Sequence, residues 1–142
     1  MTTADFLGAK LLLTCSGSLL TLLRDDFDTI PFPGHWDLPG GGAEPGETPI
    51  ACALRELHEE FGLRLPPVRL APHRFLTDQG RETWLFQGVI RPAEIAAIRF
   101  GDEGQGWRMM AVARFVAHPR AVPRFRERVA QVLGCRPDPV RA

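Results

Sequence analysis

Residues 41–63 read GGAEPGETPIACALRELHEEFGL, and the way this stretch folds decides the rest of the chain. Thr48 is a good N-cap, Pro49 suits the first helical position where no amide donor is needed, and Gly62 can take the left-handed conformation that ends a helix. The spacing predicts a helix between them. At about 100° per residue counted from Ile50, the apolar residues Ile50, Ala53, Leu54, Leu57 and Phe61 fall within roughly 60° of zero, whereas Glu56, Glu59 and Glu60 fall between roughly 180° and 280°. One face is apolar and its opposite is densely anionic.

Like charges three and four apart on a helix each cost on the order of 0.2–0.5 kcal/mol, so the anionic face calls for a counter-charge. Arg55 projects about 100° away from Glu56 and neutralises only part of the cluster. A divalent cation answers the rest. Carboxylate ligation without histidine or thiolate suits a hard ion, Mg²⁺ or Mn²⁺, rather than Zn²⁺. Just upstream, Pro39-Gly40-Gly41-Gly42 has almost no side chain, which lets the backbone approach a ligand or fold tightly.

Gly41, five residues, Glu47, seven residues and then Arg55-Glu56-Leu57-His58-Glu59-Glu60-Phe61-Gly62-Leu63 resembles the Nudix box at every specified position. The preceding Trp36-Asp37-Leu38-Pro39-Gly40 is similar to the strand and turn that lead into the box in MutT-like members. The resemblance implies an α/β fold, a mixed β-sheet between helices in an α/β/α sandwich, and Mg²⁺- or Mn²⁺-dependent hydrolysis of a nucleoside diphosphate linked to another group. It implies metal ligation by Glu56, Glu59, Glu60 and the carbonyl of Gly40. Glu103, in the Glu103-Gly104-Gln105 of a late loop, either joins the metal cluster or acts as base; an ordinary acidic turn is the competing reading. Catalytic roles then fall to Glu56, Glu59 and Glu103, with the proton going to Glu56 or Glu103. Gly41, Glu47, Arg55 and Gly62 are structural in the motif, the Glu47–Arg55 pair holding the loop against the helix.

Substrate is narrowed by exclusion. Dinucleoside-polyphosphate members carry a tyrosine downstream of the box, and this chain has none. Where ADP-ribose members tend to place a proline, Asp78 stands here. The NADH-type and coenzyme A motifs are absent. A nucleoside triphosphate, including an oxidised one, is the leading expectation. An ADP-ribose or other nucleotide-sugar pyrophosphatase, and a non-catalytic nucleotide-binding regulatory domain, are the alternatives; an intact set of glutamates argues against the last.

The 142 residues, 44% of them hydrophobic, suit one globular domain spanning 1–142. Apolar runs such as Leu11–Leu13 and Leu19–Leu23 are too short to span a bilayer, and no basic region followed by a hydrophobic one opens the chain. The expectation is a soluble, cytoplasmic protein, monomer or homodimer, acting on a small nucleotide. Zero formal charge argues against nonspecific nucleic-acid binding. Residues 1–64 carry ten acidic and four basic side chains, and residues 107–142 two acidic and eight basic. The basic end reads as a solvated helix face or as an attractor for polyphosphate. Cys15, Cys52 and Cys135 are odd in number and lack CxxC spacing, so they indicate neither a disulfide framework nor zinc. Cys52, at about 200° on the helix, is either packing or a reactive thiol.

Lys10–Cys15 and Leu19–Arg24, separated by a Ser-Gly-Ser turn, read as a hairpin. Arg24 closes its second strand, where MutT-like members often place a basic residue against phosphate; an exposed strand end is the alternative. Asp25-Asp26-Phe27-Asp28 reads as a solvated turn, and Phe32 or Trp36 in the loop that follows as a base-stacking residue or as packing. Val68–Thr77 and Glu82–Ile90 read as paired strands, and Glu94–Phe100 as strand or helical turn. Pro123 opens a final helix ending at Gly134, expected opposite the carboxylate helix.

Overall fold

Two leucine-rich runs form the centre of the sheet. In the computed structural model, which describes residues 5–135, β1 (Gly8–Cys15) and β2 (Ser18–Leu23) are joined by Ser16-Gly17. Arg136, Asp138 and Arg141, counted in the basic C-terminal stretch, lie outside the described residues. Both turn residues have positive φ, 49° and 81°, the conformation whose twist matches a tight hairpin.

The expected hairpin forms, but its strands pair only at the closed end, with Thr14 opposite Leu19 and Cys15 opposite Ser18. Beyond those rungs they diverge. The gap takes a wedge made of β3 (Trp36–Asp37), which pairs with β2, and β4 (Gly40–Gly42), which pairs with β1. Gly40 adopts φ +127°, and a Cβ on it would lie 2.2 Å from the Ala9 carbonyl oxygen, so no other residue fits the crossing.

On the far edge of β1, β6 (Glu82–Val89) runs parallel, and β5 (Ala71–Leu76) lies antiparallel to β6. β7 (Gly106–Ala111) pairs antiparallel with β2, which completes a mixed seven-stranded sheet. The strand expected from Val68 begins later, because Pro67–Arg69 forms a 3₁₀ turn after the paired prolines.

Leu11 and Leu13 of β1 face one core and Leu12 faces the other, all fully buried. A strand covered on both sides has no solvent face, hence its unbroken apolar run. The first core is closed by α1 (Pro49–Phe61) through Ala53, Leu57 and Phe61. The second is closed by α3 (Val112–Ala117) and α4 (Pro123–Leu133) through Phe115, Val116, Phe125 and Val129. The final helix thus packs opposite the carboxylate helix, as its pattern predicts. The undecided segment opens in a short helix, α2 (Pro92–Ala96), where Glu94 accepts from the Arg91 N–H at 2.9 Å, and runs on irregularly from Ala97 to Phe100. Among the described residues, no helix is long and apolar enough to cross a membrane.

Candidate active site

Helix α1 begins and ends as its sequence dictates. Thr48 Oγ1 accepts from the Ala51 N–H at 3.3 Å, and Gly62 takes φ 66° while donating to the His58 carbonyl at 2.9 Å. Against this helix lies the glycine run of the wedge. A Cβ on Gly41 would sit 2.7 Å from the Glu56 carboxyl carbon, so any larger residue there would push that carboxylate aside. Cys52 packs here too, its Sγ 3.5 Å from the carbonyl oxygens of Gly41 and Gly42. Burial pushes its thiol up to about 11, which leaves it as packing rather than a reactive group.

Arg55 reaches further than its helical angle predicts. Its Nε donates to Glu47 Oε2 at 2.6 Å, its Nη1 to Glu56 at 2.8 Å and Glu59 at 3.2 Å, and its Nη2 to the Gly42 carbonyl at 2.9 Å. One guanidinium therefore ties the Gly42 end of the wedge, the Glu47 turn and the helix together. The Arg55 hydrogen bond holds the Glu47 carboxyl below its ordinary value.

Above this framework is a cavity of about 470 Å³. Glu56, Glu60 and Glu103 line it, facing Lys10, Arg24 and Asp37, with Phe27 and Ile30 at its flank. Glu60 Oε1 accepts from the Gly40 N–H at 2.8 Å. Burial pushes its carboxyl up to about 8, against the opposing pull of the Lys10 charge and of that N–H. Glu56 is raised as well, by burial first, with Arg55 opposing.

Of the three box glutamates, two line the cavity. Glu59 is not part of the cavity lining; its side chain is 55% exposed and bound to Arg55. The reason is angular: Glu56 and Glu60 lie about 40° apart around the helix, whereas Glu59 lies about 60° beyond Glu56 on the solvent side. Among the described residues, no three acidic, histidine or cysteine side chains converge closely enough to enclose an ion in this arrangement. The donor set nevertheless fits a hard divalent cation. Glu56 and Glu60 are oxygen donors pushed toward neutrality by burial at one wall of one cavity, and the Gly40 carbonyl stands beside them.

Arg24 lines the cavity from the end of β2, held by Asp37 Oδ2 at 3.0 Å and by the Pro31 carbonyl at 3.0 Å. Glu103 sits on an exposed loop tethered at both ends. Gly101 N–H donates to the Glu60 carbonyl at 2.9 Å, and Gln105 N–H to the Leu23 carbonyl at 2.8 Å. Asp25 is a further tether, accepting from the Gly104 N–H at 3.1 Å, so this stretch is not merely a solvated turn.

Phe32 and Trp36 do not line the cavity but pack against the second core. Successive strand residues point to opposite faces. Asp37 faces Lys10 and Arg24, which sends Trp36 the other way, under the Arg108 guanidinium. The residues that sequence reasoning missed are Lys10, Asp37, Phe27 and Ile30. Lys10 had a usable signal, a lone charge in an otherwise apolar strand. Phe27 had another, a lone aromatic among three aspartates; it is 59% exposed.

A glycine-rich wedge is laid on a carboxylate helix, within a mixed sheet between helices, and the family model of the NUDIX domain matches residues 9–132. The chain belongs to the NUDIX family. A nucleoside triphosphatase NudI from Escherichia coli O1:K1 / APEC is 39% identical over 66 residues, which covers 46% of this chain and 45% of that relative. The match thus spans less than half of either protein. The MutT protein from Methanosarcina mazei Go1 superposes with a TM-score of 0.70 at 21% identity, over 94% of this chain and 98% of that one. A bifunctional NMN adenylyltransferase/ADP ribose pyrophosphatase from Francisella tularensis, complexed with AMP and a Mn ion, gives 0.70 at 19% identity, over 94% of this chain and 42% of that one. At these identities the likeness of structures concerns the fold.

Proposed function

We propose that this protein is a divalent-cation-dependent nucleotide pyrophosphohydrolase that acts on a nucleoside triphosphate, including an oxidised one. The carrying observation is the cavity in which Glu56 and Glu60, both pushed toward neutrality by burial, face the cations Lys10 and Arg24. Carboxylates and cations side by side suit a metal-bridged polyphosphate. Glu56, Glu60 and the Gly40 carbonyl would hold Mg²⁺ or Mn²⁺, with Glu103 closing the set from its loop and Glu59 supporting it through Arg55. The ion would neutralise phosphate oxygens and acidify an attacking water. Arg24 binds and orients the phosphate chain, and Glu56 or Glu103 takes the proton from the water.

The nucleoside fits the adjoining cavity of about 820 Å³, which shares Lys10, Gly41 and Gly42 with the first and is lined by Phe75, Trp84 and Phe125. The NudI relative supports a triphosphate as substrate. A nucleotide-sugar is the second reading, favoured by the pair of cavities, which offers a place to a group on either side of a diphosphate.

A panel of nucleoside triphosphates and nucleotide-sugars, assayed with and without Mg²⁺, tests this. Pyrophosphate and a nucleoside monophosphate as products from the triphosphates are expected, and only with metal. Turnover confined to nucleotide-sugars would select the second reading, and no metal-dependent turnover of any member would refute both.

A further inference from the structure

Lys10 is the only charged residue of β1, and all three donors of its ammonium are engaged. They reach Asp37 Oδ2 at 3.1 Å, the Leu38 carbonyl at 3.3 Å and the Gly40 carbonyl at 3.1 Å. The side chain is 18% exposed and lines both cavities, so it stands on the ridge between them. Arg24 shares the same Asp37 oxygen, but its remaining hydrogen bond goes to Pro31 rather than into the wedge. Two cations thus rest on one carboxylate, and only one of them holds the Gly40 oxygen.

We propose that Lys10 competes with the divalent cation for the Gly40 carbonyl, and that metal entry turns the Lys10 ammonium from that oxygen toward the substrate's phosphates. The inference rests on the metal-dependent reading above. An ammonium and a divalent ion sharing one carbonyl oxygen repel each other strongly in a half-buried site. Asp37 keeps the displaced ammonium from leaving, since its carboxylate, 3% exposed, lines the same cavity. Lys10 is then a phosphate-binding residue whose availability to phosphate follows metal binding. An assay that varied substrate at saturating metal would see the phosphate contact but not the competition.

The test measures Mn²⁺ affinity without nucleotide, by the electron paramagnetic resonance of free Mn²⁺, for wild type, Lys10→Met and Arg24→Met. Lys10→Met is expected to tighten the Kd about tenfold, and Arg24→Met by less than about threefold, because only the first frees the carbonyl. Lys10→Gln, which keeps a hydrogen bond to the wedge without the charge, serves if the methionine variant folds poorly and is expected to tighten the Kd in the same direction. In wild type, the lysine-side-chain ¹⁵N resonance of Lys10 is expected to shift on addition of diamagnetic Mg²⁺. Unchanged or weaker affinity in both Lys10 variants overturns the proposal, as does an equal shift in Arg24→Met, which would reduce it to net charge. A wild type that binds no Mn²⁺ at millimolar concentration overturns the metal-dependent reading together with it. Normal wild-type binding with unresponsive Lys10 variants removes this inference alone.

Discussion

Glu60 in the last turn of α1 and Glu94 in the first turn of α2 are both partly shielded carboxylates, and the fold shifts their protonation in opposite directions. Glu94 receives a two-pronged contact from Arg69, at 2.7 and 2.8 Å, as well as the Arg91 N–H. The Arg69 hydrogen bonds, with that N–H assisting, hold its carboxyl at about 2. Glu60 receives a single N–H and is buried, and its carboxyl is pushed up to about 8. Glu94 is gripped by its counter-charge in a direct ion pair, whereas Glu60 feels Lys10 only across the cavity. A buried carboxylate without a direct ion pair in a cavity is where a functional role is to be sought, whereas a paired one at the rim of the fold is first of all architecture.

The strongest way to break that comparison is to neutralise each in turn. Glu60→Gln is expected to lower kcat/KM at least about a hundredfold, roughly 2.7 kcal/mol of transition-state stabilisation, while Glu94→Gln stays within about threefold of wild type. Steady-state kinetics on the substrate found in the nucleotide panel decides it. Equal losses in the two variants would mean that the shifted protonation carries no functional information.

A steric version follows, without touching a charge. In Gly41→Ala the new methyl meets the Glu56 carboxyl carbon at 2.7 Å and must displace that carboxylate, whereas in Gly106→Ala it meets nothing within 4 Å. Gly41→Ala is expected to cost about tenfold in kcat/KM, and Gly106→Ala nothing measurable, since small displacements of catalytic groups are expensive. Near-normal activity of Gly41→Ala would show that the glycine serves the wedge alone and not the placement of Glu56.

What the sequence made legible was local. The caps of α1, the hairpin and the apolar stripes are governed by neighbours within a few residues, and the periodicities that encode them are local to the sequence. The wedge between β1 and β2 was not legible, because it depends on a register between residues distant in sequence, such as the Leu11 N–H on the Pro39 carbonyl. The placement of Trp36 follows from it. Once Asp37 is turned to the cavity by Lys10 and Arg24, strand alternation sends Trp36 to the opposite core, and the aromatic at the cavity flank becomes Phe27. The division of the three glutamates between cavity and solvent was hidden for a related reason. Helical spacing reports which residues share a side of the helix, but which part of that side is covered depends on the glycine run laid over Glu56.

The next smaller effect is the pH dependence of stability in chelator-treated protein. Glu60 is raised from an ordinary 4.5 to about 8, so between those values the folded chain keeps a proton that the unfolded chain has lost. Stability from this group is therefore present below pH 4.5 and declines as pH rises toward 8. Urea titrations across that window are expected to show a falling slope in wild type that is flattened in Glu60→Gln. An identical slope in both would assign the pH dependence elsewhere.

The smallest effect belongs to the satisfied pair, and it runs the other way. Glu94 is depressed from 4.5 to about 2, so the unfolded chain takes up the proton first as acid is added. Its contribution is full above pH 4.5, fades as pH falls, and is gone once pH passes about 2. Both partners face solvent in part, with side chains 21% and 22% exposed, so screening limits the pair to about 1 kcal/mol or less. Glu94→Gln is expected to lose that much in urea at pH 7, less in about 1 M salt, where exposed charges are screened within a few ångströms. Repeated at descending pH, the gap between variant and wild type should close from pH 4.5 downward. A gap that persists unchanged into acid would assign the loss to the altered start of α2, where Glu94 also accepts from the Arg91 N–H, and not to charge.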